Sequence, residues 1–227
     1  VIEGQTRIWC AWSSDSTAAD TATYLLGPVL AYVLRLRGTL ALHASAVAHG
    51  DRTLLIAGAP GAGKSTTAAL FARHGATVIT DDVAAIVWRE GAPFVMPGYP
   101  RVRLWSDVAE AFWGRADALP LLTPTWEKRF AEVTIVDEPQ RIAAVCVITA
   151  REREPQLREV SGAGAAIALL RHASMTHALD ASMRERELAE VARLASSVPV
   201  LEVVAPDDLR RAEEVVRMLT PCAPRKT

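Results

Sequence analysis

The chain has 227 residues, half of them hydrophobic, with 25 lysines and arginines against 26 aspartates and glutamates, a net charge of −1. That is the composition of a globular protein, and it offers no bulk positive charge to draw nucleic acid or an anionic membrane. The longest apolar run, Tyr24 to Leu34, is too short to cross a bilayer and ends on Arg35 and Arg37.

Three widely spaced cysteines, Cys10, Cys146 and Cys222, form no C-x-x-C pair and point to neither a disulfide framework nor a thiolate zinc site. No basic stretch leads into an apolar one at the start, so a cytoplasmic protein is expected. Gly and Pro are scattered rather than gathered into a linker, and a single continuous domain over residues 1–227 is the simplest reading.

In chain order, Arg7 to Trp12 reads as a short strand, and Ser13 to Ser16 supply turn and capping oxygens for a helix. Leu25, Leu26, Val29, Leu30, Val33 and Leu34 recur at helical spacing, with Pro28 as a kink or late start and Gly38 as the stop. Leu40 to Ala48 and Thr53 to Ala57 read as two strands joined by the turn His49-Gly50-Asp51-Arg52. The second strand runs into a glycine loop, then a helix over Thr66 to His74 closed by Gly75. A strand over Thr77 to Thr80 ends in Asp81-Asp82, and Val83 to Trp88 continues extended.

Pro93, Pro97, Gly98 and Pro100 mark a looped region, Asp107 to Trp113 a helix, and Pro120 to Thr125 an exposed stretch. Further on, Ile142 to Thr149 is a buried strand, Ala165 to Met175 and Glu185 to Ala195 are helices, Val198 to Val204 is a last strand, and Asp207 to Leu219 a closing helix. Alternating strands and helices favour a layered α/β fold, and the early hairpin makes the sheet mixed.

Gly58-Ala59-Pro60-Gly61-Ala62-Gly63-Lys64-Ser65 satisfies the phosphate-loop spacing G-x-x-x-x-G-K-[ST]. Small residues let successive backbone N–H groups curl around phosphate oxygens while a helix N-terminus faces the same charge. These residues and Thr66 are the candidate ATP-binding set, with Lys64 reaching the terminal phosphates and the Ser65 hydroxyl holding Mg²⁺. Asp81 and Asp82 would lie beside that loop if their strand neighbours the one ending at Ala57. One carboxylate then holds metal, Asp82 being paired with Ser65 in that role, and the other accepts a proton from an attacking hydroxyl. Solvated strand-end carboxylates are the alternative.

His43, within Leu40-Ala41-Leu42-His43-Ala44, either helps arrange the carboxylates or is a satisfied core histidine. His49, His74, His172 and His177 read as turn or helix-surface residues, and no zinc site is proposed. Arg101, Arg103, Lys128 and Arg129, near Tyr99, Trp105 and Trp126, form either a clamp for phosphate or an acidic peptide or ordinary solubilising charge. The chain contains no Asn, which excludes an N-K-x-D guanine-reading motif, the H-R-D-x-x-x-x-N loop of eukaryotic-type protein kinases and every N-glycosylation acceptor.

Taken together, Leu42-His43-Ala44-Ser45-Ala46-Val47, the loop with Lys64-Ser65, and Gly75 followed by Asp81-Asp82 resemble the catalytic domain of HPr kinase/phosphorylase. The resemblance is strongest from Gly38 to Asp82. It implies the mixed sheet shared with phosphoenolpyruvate carboxykinase and ATP-dependent phosphorylation of a serine. By position it gives Lys64 a phosphate contact, Ser65 the Mg²⁺, and Asp81 or Asp82 the role of general base. The family's E-I-R-G segment has no acidic counterpart in Met96-Pro97-Gly98-Tyr99-Pro100-Arg101.

Tyr24-Leu25-Leu26-Gly27-Pro28 and Pro97-Gly98-Tyr99-Pro100 look more like the short kinases of that type that tailor ribosomal peptides, lasso precursors among them. The expected partner is therefore a precursor peptide or protein carrying an acceptor serine, with no nucleic acid or membrane and with homo-oligomerisation open. A small-molecule kinase and a non-catalytic nucleotide-binding module are the competing readings.

Overall fold

A computed structural model describes residues 1–49, 52–99, 101–134 and 136–220. The expected turn residues Gly50 and Asp51, the loop residue Pro100 and Cys222 lie outside them. After two short strands, β1 (Ile2–Glu3) and β2 (Arg7–Ile8), come α1 (Ala18–Tyr24), α2 (Leu30–Leu36), β3 (Leu40–Leu42), β4 (Ala44–His49), β5 (Arg52–Gly58) and α3 (Lys64–Arg73). The middle holds β6 (Thr77–Thr80), β7 (Ala84–Arg89), β8 (Ala92–Val95), β9 (Arg101–Leu104), α4 (Ser106–Trp113) and β10 (Arg129–Glu132). The rest is β11 (Gln140–Glu152), β12 (Gln156–Val160), α5 (Gly162–Leu170), α6 (Ala181–Ser197), β13 (Val200–Pro206) and α7 (Glu213–Leu219).

A nine-stranded mixed sheet runs β3-β7-β8-β11-β5-β4-β6, with β13 beside β11 and β12 beside β13. β11 is parallel to both β5 and β13, whereas β4 is antiparallel to β5 and to β6. Two antiparallel steps restore direction, so β6 ends at the same edge of the sheet as β5, β11 and β13. Alternation along β5 feeds a core on each face. Leu54 and Ile56 pack with Leu70 and Phe71 of α3 and Val216 and Leu219 of α7, while Leu55 and Ala57 pack with Leu169 of α5 and Leu194 of α6.

Several expectations are corrected. The first strand covers only Arg7–Ile8, and α1 is capped by Thr17 rather than by Ser13 to Ser16: Thr17 and Asp20 form a reciprocal capping box. The kink expected at Pro28, by contrast, is present: between α1 and α2 the helix widens over Leu25–Val29, with Gly27 at φ −101°, ψ −105°, because Pro28 has no N–H to continue the ladder. The single strand expected over Leu40 to Ala48 is two, broken at His43, since β3 pairs with β7 and β4 with β5 and β6.

The expected looped region contains β8, in which Pro93 faces Trp88 of β7, and is followed by β9, paired with β10. The Pro120 to Thr125 stretch is not wholly exposed, as Thr123 is buried. α5 stops at Leu170 rather than Met175, after which Ala173 bridges Leu42. The closing helix divides into a short turn over Leu209–Arg211 and α7.

Candidate functional site

The glycine loop leaves the end of β5 and enters α3. Gly61 and Gly63 sit at φ +80° and +104°, the left-handed region that favours glycine, and this turns the loop back over the helix N-terminus. Lys64 is buried, and its Nζ donates to the carbonyls of Gly58 at 2.9 Å and Ala59 at 3.0 Å. Burial lowers the pKa of its ammonium, with the charges of Asp81 and Asp82 opposing that fall.

Asp81 and Asp82 follow β6, and the direct pairing of that strand with β5, the condition for their placement beside the loop, does not occur: β4 lies between them. That intervening strand contributes a hydroxyl to Asp81. Ser45 Oγ donates to Asp81 Oδ1 at 2.6 Å, and Ser65 Oγ, from the first turn of α3, donates to the same carboxylate at 2.9 and 3.1 Å. The Arg103 backbone N–H supplies a further donor to Asp81 Oδ2 at 3.0 Å. The Ser65 hydroxyl therefore sits on Asp81, not on Asp82.

Asp82 turns the other way. Its carboxylate accepts from Arg103 Nη1 at 2.9 Å and lies 3.1 Å from His43 Nδ1. Burial works against its charge, but the His43 hydrogen bond and the positive charges of Arg103, His43 and Lys128 outweigh it and hold the carboxyl below its ordinary value. His43 lies at the strand break, where its N–H donates to the His172 carbonyl at 2.7 Å and its Nδ1 is 3.0 Å from the Asp82 carbonyl. His172, expected on a surface, is half-buried, and burial first, then the charges of Lys64, His43 and Arg171, lower its pKa.

These groups meet in a cleft of about 640 Å³ lined by Pro60, Gly61, Gly63, Lys64, Ser65 and Thr66 on one wall and by His43, Asp81, Asp82 and Arg103 on another. Gly58 and Ala59 do not line it but hold Lys64 through their carbonyls, and the Ala62 carbonyl accepts from Arg151 at 3.3 Å.

Of the four basic residues read as a clamp, the structure brings only two to the cleft, Arg103 and Lys128, the latter with Nζ 4.7 Å over the Trp105 ring. Arg101 instead stacks on Phe130 at 3.9 Å. Arg129 donates to the Leu119 carbonyl at 2.6 Å and to Ser106 Oγ. Sequence reasoning missed Asp107, Arg151, Asp207 and Leu209, which also line the cleft. They stand at ends of elements that meet only in the folded chain, and no local motif marks them.

No protein-family model matches the chain, and no curated protein matches it. Among solved structures, it is similar to the Hpr(Ser) kinase/phosphatase from Coxiella burnetii, at 14% sequence identity and a TM-score of 0.41, over 78% of this chain and 94% of that one.

Proposed function

We propose that the protein is an ATP-dependent kinase that phosphorylates a serine hydroxyl on a peptide, with a ribosomally made precursor peptide such as a lasso precursor as the acceptor class that the sequence resemblance implies. One observation carries the reading. A loop with phosphate-binding spacing, its helix-start hydroxyl hydrogen-bonded to Asp81, and a second carboxylate held by His43 and Arg103 all face one cleft.

The donor set suits Mg²⁺. Ser65 and Asp81 offer one hydroxyl and one carboxylate, and no group of three or more His, Cys, Asp or Glu placed to hold a metal ion by itself occurs among the described residues. A cation bound by so few protein groups draws its remaining oxygens from phosphate and water, the habit of magnesium. Held by Ser65 and Asp81, it supplies charge neutralisation on the phosphate oxygens.

Lys64 exchanges the Gly58 and Ala59 carbonyls for phosphate oxygens, and the loop amides stabilise the same charge. Asp82 orients the acceptor hydroxyl and takes its proton as the serine oxygen bonds to the γ-phosphorus and the bond to the β-phosphate oxygen breaks, releasing ADP. A carboxylate with a depressed pKa suits a hydroxyl proton lost late in a loose transition state. His43 and Arg103 keep that carboxylate ionised and aimed.

The test is incubation with γ-labelled ATP and Mg²⁺, in parallel with serine-containing precursor peptides and with a panel of small hydroxyl metabolites, followed by mass analysis of the products. Label on a peptide serine that is lost in Lys64→Ala is the expected result. Label only on small hydroxyl metabolites would move the acceptor class, and ATP binding with no phosphorylated product would leave a nucleotide-binding module.

A further inference from the structure

The cleft contains a cation that the loop motif does not announce. In the sheet order, β11 flanks β5 on the side opposite β4 and β6. β11 also outruns β5: Ile148 pairs with Gly58, and the strand continues through Arg151 to Glu152. The Arg151 side chain therefore stands beside the glycine loop, on the flank away from Asp81 and Asp82.

Its Nη2 donates to the Ala62 carbonyl at 3.3 Å, and a Cβ placed on Gly63 would lie 2.5 Å from that same nitrogen. Gly63 thus serves twice. It takes the left-handed backbone at φ +104°, and its missing side chain lets a guanidinium lie across the start of α3. Arg151 is exposed, lines the cleft, and forms no ion pair among the described residues. Both it and Lys64 rest on carbonyls of the loop itself, Lys64 at the loop's entry and Arg151 near its exit. Such contacts are readily exchanged for an anion, because a guanidinium bonds phosphate oxygens more strongly than a neutral carbonyl.

We propose that Arg151 is a second phosphate-binding cation, gripping the polyphosphate from the β11 flank while Lys64 grips it from within the loop. This rests on the nucleotide reading above. Among the described residues, Gly63 and Arg151 act as a unit: a side chain at position 63 would push the guanidinium off the loop.

The test measures binding of MgATP and of inorganic tripolyphosphate to the full chain as wild type, Arg151→Gln and Arg151→Lys, with melting curves without ligand confirming the fold of each. Glutamine keeps a donor for the Ala62 carbonyl and removes the charge. The expected result is a loss of about tenfold or more in affinity for both ligands in Arg151→Gln, with Arg151→Lys recovering most of it. Wild-type affinity in Arg151→Gln would overturn the proposal, reducing Arg151 to a brace for the loop while the nucleotide reading stands. Equal losses in Gln and Lys variants would overturn it too, since charge would not be the cause. Failure of the wild type itself to bind MgATP would bring down the nucleotide reading and Arg151 with it.

Discussion

Asp82 has φ +80°, a conformation that costs a residue with a side chain roughly 1 to 2 kcal/mol. Three contacts offset that cost: Arg103 and His43 on its carboxylate, and Thr80 Oγ1 donating at 2.8 Å to the Val83 carbonyl across the turn. The strain lets two consecutive carboxylates face different partners, Asp81 toward Ser65 and Asp82 toward Arg103. The two asparagine variants should separate accordingly. Asp82→Asn, in which Asn also tolerates the left-handed backbone, should cut kcat by about a hundredfold or more with little change in KM for ATP. Asp81→Asn should instead raise the Mg²⁺ concentration needed for half-maximal rate, read from a metal titration of initial rates.

At the scale of elements, the widened turn between α1 and α2 presses on the site. Gly27 is buried, and a Cβ there would lie 3.0 Å from Asp82 Oδ2. Gly27→Ala should displace the carboxylate by a few tenths of an ångström and lower kcat several-fold while ATP affinity holds, which steady-state kinetics beside a binding titration would show. The same helix anchors the segment that carries Lys128. Thr125 Oγ1 donates to Asp20, and Tyr24 meets Trp126 edge-on at 5.7 Å. Hydrogen bonds from Thr125 first, then Thr17, hold the Asp20 carboxyl well below its ordinary value of 3.8. The stabilisation is therefore complete above pH 3.8 and declines as pH falls below it, where the unfolded chain binds a proton that the folded one does not. Thr125→Val should lower the melting temperature at pH 7, and melts at descending pH should show the gap to wild type closing below that value.

Across the whole molecule, α2 and α6 are joined behind the sheet by a buried ion pair, Arg35 Nη2 to Glu187 Oε1 at 3.1 Å, with Thr176 Oγ1 also donating to Glu187. Removing one member leaves an uncompensated charge. Glu187→Ala should cost about 3–5 kcal/mol in denaturant unfolding, and the apolar double variant Arg35→Met with Glu187→Leu should recover most of it. A double variant as unstable as the single one would show that the pair itself, not the orphaned charge, supplies the stability. The site depends on this larger frame through strand direction: across the sheet β4 runs opposite to β5 and β6 runs opposite to β4, and only an even number of reversals delivers Asp81 to the edge where Lys64 and Ser65 open α3.

Residues close in the chain were legible beforehand. The strand, glycine loop and helix, the hairpin before them, the strand ending in Asp81-Asp82 and the apolar run of β5 are encoded over a few residues each, because backbone conformation and side-chain periodicity are local properties. The strands β8, β9, β10 and β12 were not read, since short segments holding proline or alternating charge become strands only when a neighbour pairs with them.

The sequence by itself determined that a phosphate-type loop is followed by two carboxylates. Tertiary structure alone decided that Ser65 meets Asp81, that His43 and Arg103 claim Asp82, that Arg101 and Arg129 point elsewhere, and that Arg151 arrives across Gly63. Those are contacts between residues far apart in the chain, and sheet order and strand direction, which no local pattern specifies, set which of them come within hydrogen-bonding reach.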